Sequence, residues 1–208
     1  MADTETKKKW DQAAPWFDLM AGTGAERRWF PAKHALFSRM QGDVLFLAAG
    51  TGLDFVAFPA ERRVVAIDIS AGMLRYARPR AAQYKGRIDL MEMDVNQLAF
   101  ADASFDQVFT SCTFCSVPNP VSGLEQLRRV LRPGGKLHMF EHTGSHYFPF
   151  NLMLNLMNPL AKRTGPEMNR NTVGNVQKAG FKLLSVNHLY LDVVKTIVAE
   201  NPKPSRAP

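Results

Sequence analysis

The chain has 208 residues, 46% of them hydrophobic and 22% charged, proportions that exclude a disordered or fibrous chain and make a single globular domain the expectation. Its two cysteines, Cys112 and Cys115, exclude a disulfide scaffold, and no run approaches the roughly 20 apolar residues of a membrane span, so a cytoplasmic protein is expected. The formal charge of +7 calls for an anionic partner, either nucleic acid or a membrane surface.

Met1 to Lys9 reads as a frayed start or a first helical turn. From Trp10 to Met20 the bulky residues recur at helical spacing, with Pro15 expected to begin or kink the helix. Ala21-Gly22-Thr23-Gly24 is a break, and Glu26 to Met40 reads as an amphipathic helix ended near Gly42. Val44 to Leu47, Val64 to Ile67, Ile88 to Met93, Gln107 to Phe114 and Lys136 to Phe140 are short apolar runs of the kind that form strands buried on both faces. Helical segments, Ser70 to Tyr84 and Val121 to Leu131, lie between them. That alternation predicts an α/β, Rossmann-like, mostly parallel sheet with helices on both faces. His146 to Leu160 is an apolar block interrupted by Pro149 and Pro159. Asn171 to Ala179 reads as a helix closed by Gly180, Phe181 to Val186 and Tyr190 to Val198 as a hairpin of edge strands, and 201–208 as a disordered tail.

In such a sheet ligands bind beyond the carboxyl ends of the strands. Ala48-Ala49-Gly50-Thr51-Gly52 closes the first run with a turn that lets backbone approach a ligand. Asp68 closes the second run, where a carboxylate accepts from both hydroxyls of a ribose; the alternative is a helix cap, for which Ser70 competes. Asp94 closes the third run and is placed either to accept from an adenine amine, with the Val95 backbone donating to the ring, or as a solvated loop residue. A dinucleotide fingerprint needs glycine where Leu53 stands, so a nucleoside without a pyrophosphate fits better.

These residues carry a resemblance. Leu45-Phe46-Leu47-Ala48-Ala49-Gly50-Thr51-Gly52, then Ala66-Ile67-Asp68-Ile69-Ser70 with Gly72-Met73-Leu74, then Asp94 ahead of Phe105-Asp106, then Val130 to Gly135 resemble the ordered motifs of the class I S-adenosylmethionine-dependent methyltransferases. The resemblance implies seven strands with the last antiparallel, S-adenosylmethionine as cofactor and S-adenosylhomocysteine as product. It also implies that Ala48, Gly50, Thr51 and Gly52 line the cofactor's methionine and ribose part, Asp68 binds the ribose, Ile69 and Met73 sandwich the adenine, Asp94 and Val95 read its edge, and Ser111 completes the set. Two positions depart from the family: Phe46 stands where an acid is usual and Ala48 where glycine is usual. Asp54 is a candidate to restore the missing negative charge. If it does not, a cofactor-impaired or non-catalytic binding protein is the alternative.

Trp10-Asp11-Gln12-Ala13-Ala14-Pro15-Trp16-Phe17-Asp18 resembles the quinone-biosynthesis and phosphatidylethanolamine N-methyltransferases. Cys115 to Pro120, Glu141-His142 and Asn169 to Thr172 resemble relatives of the microsomal thiol S-methyltransferases. An acceptor that is a phospholipid amine, quinol or thiol is therefore expected. Residues 1–40 are read as a helical lid, 41–200 as the cofactor-binding domain with a lid insertion around 146–170; both lids are either a roof over the acceptor or ordinary core. His142 is a candidate general base or a structural histidine, Asp18 a second candidate catalytic group, and Phe17, Cys115 and Arg170 candidate acceptor contacts, with Arg170 suited to a phosphate or carboxylate. Cys112-x-x-Cys115 sits on an expected strand without a second ligand pair, which argues for small buried hydrophobes and against a metal. No base-gripping motif follows the fourth strand, so nucleic-acid methylation rests on charge alone. From Ala161 onward eight basic residues stand against three acidic ones, which suits docking on an anionic membrane.

Overall fold

A computed structural model describes residues 3–21, 25–164 and 166–203. In chain order the elements are α1 (Thr4–Ala21), α2 (Ala25–Phe37), β1 (Val44–Leu47), β2 (Arg63–Asp68), α3 (Ala71–Gln83), β3 (Arg87–Glu92), β4 (Phe105–Ser111), α4 (Pro120–Val130), β5 (Leu131–His142), α5 (Phe150–Thr164), α6 (Thr172–Lys178), β6 (Lys182–Tyr190) and β7 (Val194–Glu200). The strands form one sheet in the order β3-β2-β1-β4-β5-β7-β6. β1 to β5 run parallel, and β7 is antiparallel to both β5 and β6. The chain reverses its direction of winding between β1 and β4, and that switch point is where an open α/β sheet leaves a crevice.

Alternation along β1 splits its side chains between two cores. Val44 and Phe46 join Phe37, Leu74, Phe109 and Phe140 under α2 and α3. Leu45 and Leu47 join Val108, Leu124, Leu127, Met139 and Val176 under α4 and α6. Every β1 residue is buried, which is why that segment reads as an unbroken apolar run.

Several expectations shift. α1 begins at Thr4, because the Asp3 carboxylate accepts from the Glu5 and Thr6 amides at 3.2 and 3.1 Å and caps the helix; Lys7 to Lys9 are therefore helical, and Pro15 lies inside the helix rather than starting it. β4 ends at Ser111, three residues early, because Cys112 takes a left-handed φ of 49°. The expected edge hairpin is only half at the edge: β7 inserts between β5 and β6 and is buried almost throughout. Asn201 is pinned rather than loose, its side-chain amide donating to the carbonyls of Arg128 and Leu131 at 3.1 and 2.8 Å. The break at 22–24 and the end at 204–208 lie outside the described residues.

Candidate active site

The carboxyl ends of β1, β2, β3, β4 and β5 open into one cavity of about 370 Å³, walled also by α1 and by the segment after α5. Ala48 and Gly50 enter from the β1 turn, Asp68, Ile69 and Met73 from β2 and α3, Met93, Asp94 and Val95 from β3, Ser111, Cys112 and Cys115 from β4, and His142 from β5. Trp10 and Phe17 come from α1, and Pro166 and Met168 close the far wall. Of the sequence-predicted residues, Ala48, Gly50, Asp68, Ile69, Met73, Asp94, Val95, Ser111, His142, Phe17 and Cys115 thus meet in one place.

Asp68 is buried, and its two oxygens accept from the Gly50 amide at 2.8 Å and the Ser70 amide at 2.9 Å. Burial pushes its carboxyl up to about 6, against those two donors and with some help from the nearby Asp11 charge. Each oxygen keeps a second lone pair, so the carboxylate fixes the glycine turn and still presents an acceptor to the cavity. Ser70 is the helix cap, its hydroxyl accepting from the Met73 amide at 3.0 Å, which frees Asp68 from that competing role. A Cβ at Gly50 would meet nothing within 4 Å, so the turn faces open space there. Both glycines take a left-handed φ, 54° at Gly50 and 84° at Gly52, but at Gly52 a Cβ would stand 2.7 Å from the Phe55 ring. Gly52 and Thr51 form the turn and do not line the cavity.

Ala48 holds a left-handed φ of 57° without being glycine, the conformation that explains why glycine is usual there. Phe46 turns from the cavity into a cluster of rings, 5.5 Å from Phe37 and 4.8 Å from Phe58. Asp54 does not supply the absent acid. Its Oδ1 lies 2.8 Å from the buried Lys33 ammonium, so that charge is already neutralised.

α1 is strapped across the crevice by polar contacts spaced along its length. The Asp3 amide donates to Asp94 Oδ2 at 3.1 Å, so an adenine amine reaching that carboxylate shares or displaces this contact. Asp11 accepts from the Ser70 hydroxyl at 2.6 Å and the Gly72 amide at 2.8 Å, seating a negative charge on the N-terminus of α3. Asp18 accepts from the Thr51 hydroxyl at 2.5 Å and pairs with Arg80 at 2.7 Å; it braces the lid and, unlike Phe17 beside it, does not line the cavity. Trp10 and Phe17 pack edge to face at 6.1 Å on the cavity side. The seven-residue intervals Trp10/Phe17 and Asp11/Asp18 are the sequence signal for this strap, because positions seven apart share one helical face.

At the opposite end the walls are Ser111, Cys112, Cys115, Val117, Met168 and His142. Burial, and then the Lys195 charge, lower the His142 pKa, so its ring is neutral near pH 7. Cys112 is open to the cavity rather than a buried strand residue; enclosure by the walls, then the Glu141 charge, hold its thiol well above the ordinary value. Glu141, not expected as a functional residue, is fully buried and accepts from the Thr110 hydroxyl at 2.8 Å and from the Thr113 and Phe114 amides at 3.2 Å. It fastens the turn that carries Cys112 and Cys115. Arg170 pairs with Glu167 at 3.2 Å, its Nε is buried without a partner among the described residues, and it does not line the cavity. Among the described residues no group of three or more His, Cys, Asp or Glu could hold a metal.

Residues 45–139 match the family described as "Methyltransferase domain". That match falls on the part of the sheet that carries the crevice, the open glycine turn after β1 and the buried carboxylate after β2. The chain is 34% identical over 155 residues to the demethylmenaquinone methyltransferase of Clavibacter sepedonicus, with 69% of this chain and 63% of that protein covered. It is 33% identical over 136 residues to the thiol S-methyltransferase TMT1B of Homo sapiens, covering 59% of this chain and 55% of that protein. The chain thus spans less than two thirds of these relatives' lengths. Among solved structures, the S-adenosylmethionine-dependent methyltransferase from Aquifex aeolicus superposes with a TM-score of 0.66 at 18% identity, over 89% of this chain and 97% of that one, a likeness of fold.

Proposed function

We propose that the chain transfers a methyl group from S-adenosylmethionine to a small lipophilic acceptor with an ionisable proton, of the quinol or thiol kind. The observation that carries this reading is the single cavity in which Asp68, Asp94, Ile69 and Met73 stand at one end and His142, Cys115, Val117 and Met168 at the other. Asp68 and Gly50 fit the ribose and its approach, Ile69 and Met73 the adenine faces, and Asp94 with Val95 its polar edge. The cofactor supplies an electrophilic methyl group on a sulfonium. The chain's residues align the acceptor and keep water out, Trp10 and Phe17 from the lid and Met168 from the far wall. His142, neutral at pH 7, takes the proton that the acceptor loses. The names of the two relatives support a quinol or thiol over a phospholipid amine, and the described residues that line that end include no carboxylate for a cationic headgroup.

The test is turnover of labelled S-adenosylmethionine against a panel of quinols, thiols, phospholipid amines and structured RNA. Label in a quinol or thiol, lost in His142→Gln, is the expected result; transfer only to amines or RNA contradicts it. A second reading is a cofactor-impaired binding protein, favoured by Phe46 in the ring cluster and Asp54 neutralised by Lys33. Turnover that appears only in Phe46→Glu would establish that reading instead.

A further inference from the structure

Helix α5 is apolar on the side that faces away from the protein. Leu154 and Asn158, one turn apart, are its buried positions, and the Asn158 side chain accepts from the Met168 amide at 2.9 Å. On the opposite side Leu152, Met153, Leu156, Met157 and Leu160 are exposed, Leu156 to 74% and Leu160 to 69%. At the 100° step of a helix these five span an arc of about 140°, a wide stripe of the kind that ordinarily faces a core. Phe148, 79% exposed, and Tyr147 extend the stripe before the helix begins. A soluble helix ordinarily turns its leucines to a core; α5 buries Leu154 but leaves Leu152, Leu156 and Leu160 exposed.

We infer that this outward face of α5 docks the protein on an anionic lipid surface, with the helix lying flat at the headgroup boundary and the cavity mouth beside it. Charge selects lipid over a second copy of the chain. From His142 to Pro166 the sequence holds no Asp or Glu, and Lys162-Arg163 fall in the last turn of the helix, the pattern of an interfacial segment drawn to anionic headgroups. The whole chain carries +7, which opposes pairing of two copies and favours a negative surface. No helix among the described residues is long and apolar enough to cross a membrane, so the contact is peripheral. The bond from Met168 to Asn158 ties the docking helix to the cavity wall, giving an acceptor dissolved in lipid a short path to the site. The acceptor route rests on the lipophilic-acceptor reading; the docking does not.

The experiment is flotation of the full chain with vesicles of phosphatidylglycerol and phosphatidylcholine in equal parts, beside vesicles of phosphatidylcholine alone. The wild-type chain floats with the anionic vesicles and is released by salt, and Leu156→Glu/Leu160→Glu loses at least about tenfold of that binding while binding S-adenosylhomocysteine as the wild type does. In Leu156→Trp the indole emission that exceeds that of the wild type's own three tryptophans shifts to the blue on addition of anionic vesicles, which localises the contact to this face. Three outcomes overturn the inference: no flotation of the wild type, flotation that the double variant retains, or a wild-type dimer in light scattering that the double variant dissociates without any vesicle binding. Each leaves the methyl-transfer reading intact, whereas loss of S-adenosylhomocysteine binding in the wild type would remove that reading and not the docking.

Discussion

Replacing Glu141 with glutamine gives a stability difference whose pH dependence follows from the burial of one carboxyl. Burial raises it from 4.5 to about 7, against three donors. At about 1.4 kcal/mol per pKa unit the shift corresponds to about 3 kcal/mol. In the unfolded chain this carboxyl loses its proton near 4.5, whereas in the fold it keeps it until about 7. The proton therefore favours the fold fully below pH 4.5, and the contribution is lost as pH rises through about 7. Glutamine does not titrate, and loss of one matched acceptor offsets its stability by about 1 kcal/mol at every pH. Urea unfolding of both proteins across this window, taken as a difference, cancels the titrations of Asp68 and the histidines. The wild type should lose about 3 kcal/mol relative to Glu141→Gln between the acid and alkaline ends. A difference that stays flat with pH would refute the claim that a desolvated carboxylate fastens the turn bearing Cys112 and Cys115.

Ala48→Gly releases a left-handed φ of 57° that costs about 1–2 kcal/mol in a residue with a Cβ, against about 0.5–1 kcal/mol of added chain entropy in the unfolded state; urea denaturation should show a net gain of up to about 1.5 kcal/mol, and a loss would mean that the turn is not strained. Lys33→Met strands the Asp54 carboxylate in a buried site and should cost about 3 kcal/mol, most of it recovered in Lys33→Met/Asp54→Leu; a mild single variant would show the pair to be wet. Because burial and Lys195 lower the His142 pKa, the rate at saturating cofactor should climb with pH on the acid side of the ordinary histidine range and be level above it, and His142→Gln should lose that limb with about a hundredfold or more of turnover. An unchanged pH profile in the variant would remove His142 as the base.

The parallel sheet was legible because strands buried on both faces leave continuous apolar runs, as Val44 to Leu47 does. So was one end of the cavity, because Asp68, Asp94 and the glycine turn stand at strand ends that sequence spacing locates. Long-range pairing was not. Nothing in the spacing of Asp18 shows that Arg80 and Thr51 are brought to it from α3 and the β1 turn, and Asp54 looks free until Lys33 arrives from α2. β7 sits inside the sheet although it is the last strand in sequence, because only tertiary order inserts it between β5 and β6. Glu141 reads as an ordinary strand-end acid, and the three donors that converge on it come from residues about thirty positions away.

The central claim is that this cavity holds the cofactor through Asp68. Titration calorimetry with S-adenosylhomocysteine tests it most directly, on the wild type and on Asp68→Asn, near pH 7.5 and again near pH 5, on either side of the Asp68 value of about 6. The wild type should bind at the higher pH, bind more weakly at the lower one as the carboxyl takes a proton, and lose about tenfold or more of its affinity in Asp68→Asn, the loss expected for hydrogen bonds to a charged acceptor. No heat from the wild type at about 1 mM ligand, or equal binding by the variant, would contradict it.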